Sequence, residues 1–217
     1  MILNNKTKRI IVYIVGLFIL ALGLTLNTKA NLGVSPIISV PYSISQITGL
    51  NFGDLTFIEY VVFVFIEVLI HFSEKNKTRI ISDLLQLPLS LIFTRLLNIF
   101  LAYIPTPNQF GIQLLILAVA IICTGIGAAM SLSMQFVPNP GDGIVQALAG
   151  KFNKSVGFTK NMFDCLSVCI TLCISLTFAH TILGIEIGTL IAVLGVGRVI
   201  ALFHHVFESQ IIELVQE

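Results

Sequence analysis

Six apolar stretches constrain this chain more than any other feature. They cover residues 10–28, 54–73, 80–103, 112–135, 161–179 and 187–206. A helix of about 20 apolar residues spans the hydrocarbon core of a bilayer. Only 11% of the residues are charged, against roughly 25% in soluble domains, and the mean hydropathy is +0.97. The sequence therefore predicts an all-α polytopic membrane protein with six transmembrane helices, surrounded by membrane lipid.

Two further apolar stretches, residues 36–47 and 140–152, are too short to cross. At 1.5 Å per residue, a helix of about a dozen residues reaches only about 18 Å. Ser35-Pro36 and Asn139-Pro140 each place a capping side chain before a proline, which is typical of a helix start. We expect two short re-entrant helices that begin at these prolines.

The basic residues test whether the short stretches cross the membrane, because Lys and Arg near span ends collect on the cytoplasmic side. If both stretches are re-entrant, nine of the twelve basic residues lie inside and Lys29 alone lies outside. The nine are Lys6, Lys8, Arg9, Lys75, Lys77, Arg79, Lys151, Lys154 and Lys160. This arrangement predicts that both termini are cytoplasmic. Eight shorter spans remain the alternative, with the basic cluster 75–79 outside.

The two halves of the chain resemble each other. An offset of 104 residues places Gly23 on Gly127 and Pro36 on Pro140, and an offset of 103 places Arg95 on Arg198. Each half reads as span, re-entrant helix, span, span. Because three spans are an odd number, the second half must be inverted. We therefore expect two inverted-topology repeats of three spans each, residues 1–107 and 108–217.

The starts of the short helices are the first candidates for a binding site. Unpaired N–H groups and the helix dipole attract anions there, and irregular backbone inside a membrane is tolerated only beside protein or a water-filled cavity. Asp142 either stabilises its own first turn or couples a proton or cation. The candidate substrate-binding residues are Ser35, Pro36, Asn139, Pro140, Gly141, Asp142, Arg95 and Arg198.

Ionisable side chains inside spans are costly, so some of them must pair. The rise per residue places Asp83 level with Arg198 near the inner side, and Glu186 level with Arg95 near the outer side. Two crossed ion pairs are therefore expected, either as structural pairs or as alternating gates. On another span, residues 59, 67 and 71 share one helical face that lines a polar path or packs on a neighbour.

Several classes of function are not expected from this sequence. The net charge of +1, without a basic cluster of the kind that binds phosphates, argues against nucleic acid. No recognised catalytic motif is present, so we expect no enzyme and no cofactor. Cys165, Cys169 and Cys173 lie four residues apart, but no CxxC or His accompanies them, which favours helix packing over metal binding.

Four segments carry a resemblance to a known family: 32–40 (LGVSPIISV), 137–145 (VPNPGDGIV), 155–160 (SVGFTK) and 184–191 (GIEIGTLI). They resemble the YczE/YitT-type bacterial integral membrane proteins. Lack of the soluble C-terminal domain of YitT-like members favours the YczE-like branch. The first half departs from the second in having Ile38 at the position of Asp142. The resemblance implies a bacterial inner-membrane location and supplies no catalytic residues.

Inverted repeats with interrupted helices recur in secondary transporters, whose sites lie near the bilayer midplane. We therefore expect a small transporter, and Arg95 and Arg198 favour an anionic solute. A non-transporting scaffold or accessory protein is the alternative. A third hypothesis is a substrate-capturing subunit of a larger importer. A homodimer is compatible with a chain of this size.

Overall fold

The computed structural model describes residues 5–216, which form eight α-helices and no strand. A 3₁₀ turn at Pro36–Ile38 precedes α2, and a π-helical turn at Ser175–Ala179 continues α7. The helices are α1 (Asn5–Lys29), α2 (Ser39–Thr48), α3 (Phe52–Ser73), α4 (Lys77–Tyr103), α5 (Phe110–Ser133), α6 (Pro140–Phe152), α7 (Val156–Ile174) and α8 (Ile187–Gln216).

The helices expose apolar side chains and bury polar ones. Phe65 and Ile92 are each 62% exposed on α3 and α4, whereas Gln86 and Thr94 on α4 are fully buried. This distribution suits a hydrocarbon surrounding rather than water. Within the described residues, six helices are long and apolar enough to span a membrane, namely α1, α3, α4, α5, α7 and α8. The prediction of a six-span helical membrane protein is therefore confirmed at this level.

Close contact between α1 and α5 forms the centre of the bundle. The two helices run antiparallel: Gly23 lies against Thr124, and Gly127 lies against the backbone of Leu20. A Cβ atom at either glycine would overlap with the facing helix. Small residues let helix backbones approach closely in membranes.

The remaining helices pack around this pair in definite directions. The antiparallel hairpin of α3 and α4 is joined by Glu67 with Gln86 and by Gly53 with Asn98. By contrast, α2 runs parallel to α7, because Ser39 Oγ meets Thr171 Oγ1 at 2.7 Å and Ser43 Oγ meets Ser175 Oγ at 2.8 Å. Helix α6 runs parallel to α3, from the contact of Asn139 with Tyr60 to that of Lys151 with Ser73. Helices α5 and α8 are also parallel, judged by the contacts of Ile121 with Gly195 and of Gly125 with Val199.

These directions define two ends of the bundle. We call the first face the end at which α1 begins and α5 and α6 end, and the second face the opposite end. On the first face, the Arg9 guanidinium donates to the Met134 carbonyl at 2.8 Å. On the second face, the segment after α1 is bonded to the segment before α8: Val34 N–H donates to Gly184 O at 2.8 Å, and Gly188 N–H donates to Leu32 O at 2.7 Å.

The α1–α5 contact predicts a sharp difference between two glycines. Gly127→Ala should destabilise the protein by about 1–3 kcal/mol, because the methyl group has no space against Leu20. Gly197→Ala is the matched control, since a Cβ atom there meets nothing within 4 Å. Thermal unfolding in detergent measures both. Equal melting temperatures for the two variants would contradict the close packing.

Candidate functional site

A small cavity lies at the centre of the bundle, where the starts of the two short helices meet. Its volume is about 30 Å³, which is large enough for a water molecule. The first short helix begins at Ser39 rather than at Pro36 as expected, and the 3₁₀ turn before it contributes Ser35 and Pro36 to the cavity. The start of α6 contributes Asn139, Gly141 and Asp142. The structure thus brings together most of the predicted substrate-binding residues. Pro140 is buried beside them, at the first position of α6.

A lysine and two carboxylates form the charged part of this cavity. Lys160 and Asp164, one turn apart on α7, line it together with Asp142 of α6. Lys160 Nζ lies 3.5 Å from Asp164 Oδ1, and Asp164 is only 3% exposed. The contact is an ion pair without a hydrogen bond, because Asp164 Oδ1 has no hydrogen-bond partner among the described residues. Lys160 therefore interacts electrostatically with both carboxyl groups, Asp164 and Asp142.

The two helix starts leave their first N–H groups free of side-chain caps. Neither Ser35 nor Asn139 makes a capping hydrogen bond. The expectation that these side chains cap the short helices is therefore wrong. Asn139 Nδ2 instead donates to the Tyr60 hydroxyl at 3.4 Å, which ties the start of α6 to α3. Pro36 and Pro140 have no N–H, and the N–H groups of Ile38, Asp142 and Gly143 donate to main-chain carbonyls. The N–H groups left for a ligand are therefore those of Ile37 and Gly141, which both line the cavity.

A second, larger cavity opens at the first face between α3, α4 and α6. We call it the vestibule; its volume is about 290 Å³. Two buried pairs form its wall: His71 Nδ1 with Asp83 Oδ2 at 2.6 Å, and Gln86 Nε2 donating to Glu67 Oε2 at 2.6 Å. Arg79 on α4 also lines it. Burying four polar groups requires such pairing, because an unpaired one costs desolvation energy.

The two arginines that were expected at the site lie elsewhere. Arg95 pairs with Asp54 near the second face, with both side chains about half exposed. Arg198 is exposed, and its guanidinium donates to the Leu194 carbonyl one turn earlier on α8. Neither lines the central cavity. An anionic preference based on these two residues therefore loses its geometric support.

The crossed ion pairs also take other partners. Asp83 binds His71 rather than Arg198, and Arg95 binds Asp54 rather than Glu186. The reason is the hairpin of α3 and α4: it brings side chains of neighbouring helices together, whereas the expected pairs would join residues of α4 to residues on and just before α8.

The predicted polar face of α3 is split between two surroundings. Glu67 and His71 face the vestibule. Glu59 lies in an apolar groove between α2, α3 and α7, of about 350 Å³.

Cys165, Cys169 and Cys173 are all exposed on α7.

Lys160 lines the central cavity but was not among the predicted site residues. It was counted among the cytoplasmic loop cations, whereas α7 already begins at Val156 and carries Lys160 on the face toward the cavity. The spacing of Lys160 and Asp164, four residues apart, was the available signal, because such residues share a helix face. The role of Gln86 as the partner of Glu67 could not be predicted, because an uncharged amide within a span does not by itself indicate a buried pair.

Residues 7–205 match the model of a family of unknown function, DUF6198. The chain belongs to this family, whose match covers nearly all of its length. The comparisons lend no specific support to the YczE/YitT name. No curated protein matches the chain, and no solved structure matches it.

The shared cation gives a direct prediction. Lys160→Met should destabilise the protein by about 3 kcal/mol, because it leaves the buried Asp164 carboxylate without its partner. The double variant Lys160→Met/Asp164→Asn should recover part of this loss. Thermal unfolding in detergent measures both variants. A single variant as stable as the unmodified chain would show that the ion pair does not hold α7 in place.

Proposed function

We propose that the chain is a small secondary transporter that moves a small solute through the central cavity. One observation carries this proposal: two short helices from opposite halves of the chain point their uncapped starts at one cavity lined by ionisable groups. Interrupted helices with their ends at the midplane are the binding elements of secondary transporters. This likeness concerns architecture alone. The polar and ionisable groups that line the cavity support a solute site there.

The proposed inverted repeat, residues 1–107 and 108–217, is supported by the backbone. Left-handed residues recur 104 positions apart: Asn31 and Gln135 follow α1 and α5, and Gly49 and Asn153 follow α2 and α6. Non-glycine residues rarely adopt positive φ. Their recurrence at matching positions therefore favours a repeated backbone path over chance similarity.

Contacts between the halves support the same symmetry. Ser39 on α2 meets Thr171 on α7, and adding or subtracting 104 gives Gly143 and Glu67, which also touch. The α1–α5 contact behaves likewise, because Gly23 against Thr124 becomes Gly127 against Leu20. An exchange of the two halves thus reproduces contacts at the centre of the bundle.

Helix directions support the proposed re-entrant path. Helix α1 ends at the second face, and α2 runs parallel to α7, which starts at the first face and runs toward the second. These directions favour a chain that turns back into the bundle between α1 and α2. Helix α6 runs parallel to α3 and so returns to the first face, where α5 also ended.

We assign the first face to the cytoplasm, in a bacterial inner membrane. The basic clusters in the first turns of α1, at the junction of α3 and α4, and at the junction of α6 and α7 all lie at this face, in agreement with the positive-inside rule. Both termini then lie inside. The vestibule opens on this side, whereas on the second face the segments around Val34 and Gly184 are hydrogen-bonded to each other. This asymmetry supports a conformation open to the cytoplasm, with solute loading of the small cavity requiring a helix movement.

The solute carries an acceptor group for the helix starts and for Lys160. With Arg95 and Arg198 away from the cavity, an anionic group on the solute is favoured only by Lys160 and the free N–H groups. Asp142 and Asp164 favour a donor or cationic group on the same solute. We therefore propose a small polar solute that presents both kinds of group, such as a zwitterion.

Cysteine labelling tests the topology. In a variant without the four native cysteines, Gly49→Cys should react only with reagent outside the cell, and Asn153→Cys only with reagent inside. These positions follow the two short helices. Accessibility to a membrane-impermeant maleimide, in intact and in permeabilised cells, measures this. Eight shorter spans would place both cysteines on the same side.

Ligand-dependent stability tests the solute site. A panel of small anions, cations and zwitterions should contain a class that raises the melting temperature, since a ligand at 100 times its Kd stabilises by about 2.7 kcal/mol. Asp142→Asn should abolish the shift. Arg95→Ala should retain it, because Arg95 lies at the surface. If no class stabilises the protein, the scaffold or importer-subunit hypothesis takes the place of transport.

A further inference from the structure

The vestibule is built around a carboxyl group that keeps one oxygen free. Glu67 is only 1% exposed, yet it lines this cavity of about 290 Å³. Its Oε2 accepts a hydrogen bond from Gln86 Nε2 at 2.6 Å, whereas its Oε1 has no hydrogen-bond partner among the described residues. A buried carboxyl oxygen without a partner is costly unless water, a ligand or a proton satisfies it.

The charged groups around Glu67 leave it without a cation of its own. On α3, His71 is paired with Asp83 of α4 at 2.6 Å. The Asp83 carboxyl group interacts with Glu67 both as a like charge and as a side-chain hydrogen-bonding group. Arg79 of α4 lines the same vestibule, and α6 contributes only uncharged residues to its wall. Two neighbouring carboxylates of which only one has a close cationic partner favour the binding of a proton.

The position of Glu67 connects it to the central cavity. A Cβ atom added at Gly143 would lie 2.7 Å from Glu67 Oε2 and 2.9 Å from Gln86. Gly141 and Asp142, in the same first turn of α6, line the central cavity. One helical turn therefore separates the vestibule from the solute site, and a change at Glu67 reaches that turn by direct contact.

We infer that Glu67 is the proton-binding group that couples transport to the proton gradient, with His71 and Asp83 as its positioning residues. In this step hydronium from the vestibule gives its proton to the Glu67 carboxylate, an O–H bond forms at Oε1, and water remains. The neutral carboxyl group then no longer repels Asp83, and its contact with the first turn of α6 changes. The inference rests on the proposed transport function.

Other buried carboxyl groups fit this role less well. Glu59 lies in an apolar groove. Asp164 already pairs with Lys160 at the central cavity. Glu67 alone among these three lines the vestibule that water reaches.

Infrared difference spectra of the purified protein, between about pH 4 and about pH 9, test the inference; this range includes the ordinary pKa values of Glu and His. The carbonyl stretch of a protonated carboxyl group should titrate in the unmodified chain, and Glu67→Gln should remove that component. Asp83→Asn should move its midpoint to lower pH by about one unit, because a like charge is removed. Glu59→Gln is the matched control and should leave the component in place.

Identical difference spectra for the unmodified chain and Glu67→Gln would overturn the inference. If the titration midpoint of the Glu67 infrared component is the same in Asp83→Asn and His71→Gln as in the unmodified chain, the role given to those two residues is overturned. Melting temperatures at neutral pH show that each variant is folded. Proton uptake with any solute that stabilises the protein, measured with a pH-sensitive dye, should vanish in Glu67→Gln. A titrating Glu67 without any stabilising solute would refute transport but leave the proton site intact.

Discussion

Irregular backbone inside the bundle must find its hydrogen bonds within the protein, because lipid offers none. The structure meets this requirement twice, in different ways. After α1, the backbone of residues 32–34 bonds to the backbone around Gly184 and Gly188. After α5, the Met134 carbonyl accepts from Arg9 and the Val137 carbonyl accepts from the Tyr13 hydroxyl at 2.6 Å. These partners hold both interrupted segments, and with them the starts of the short helices.

The same requirement explains why the polar residues lie inside. Each short helix needs a neighbour that accepts its polar side chains: α2 meets hydroxyl groups on α7, and α6 meets Glu67 and Tyr60 on α3. The two neighbours differ in chemistry although they lie at matching positions. Hydroxyl pairs close one side of the bundle, whereas a carboxyl and an amide leave space for the vestibule on the other. Thus the two short helices pack against neighbours of different chemistry, and α6 has Glu67 of α3 beside it.

Much of the fold could be predicted from the sequence, because span length and proline position are local signals. The structure has helices at all six predicted spans, and α6 begins at Pro140 as expected. Partner choice was not predictable, since it depends on the rotation of each helix about its axis. Counting residues along α4 placed Arg95 near the end of the bundle where it lies, but this count could not predict its pairing with Asp54. Lys160 was missed for a related reason, because α7 begins earlier than the apolar stretch does.

Two main-chain hydrogen bonds join residues 32–34 to residues 184–188 on the second face, and the Thr189 hydroxyl donates to the Gly184 carbonyl beside them. Gly33 and Gly184 adopt φ of +95° and +77°, a region that suits glycine, and so bring the two segments together without intervening side chains. Amide–carbonyl hydrogen bonds contain no titratable group, so these two bonds do not themselves respond to a change of pH. Each contributes only about 1 kcal/mol net. A change of charge elsewhere in the protein can therefore reach them only through movement of the helices on either side.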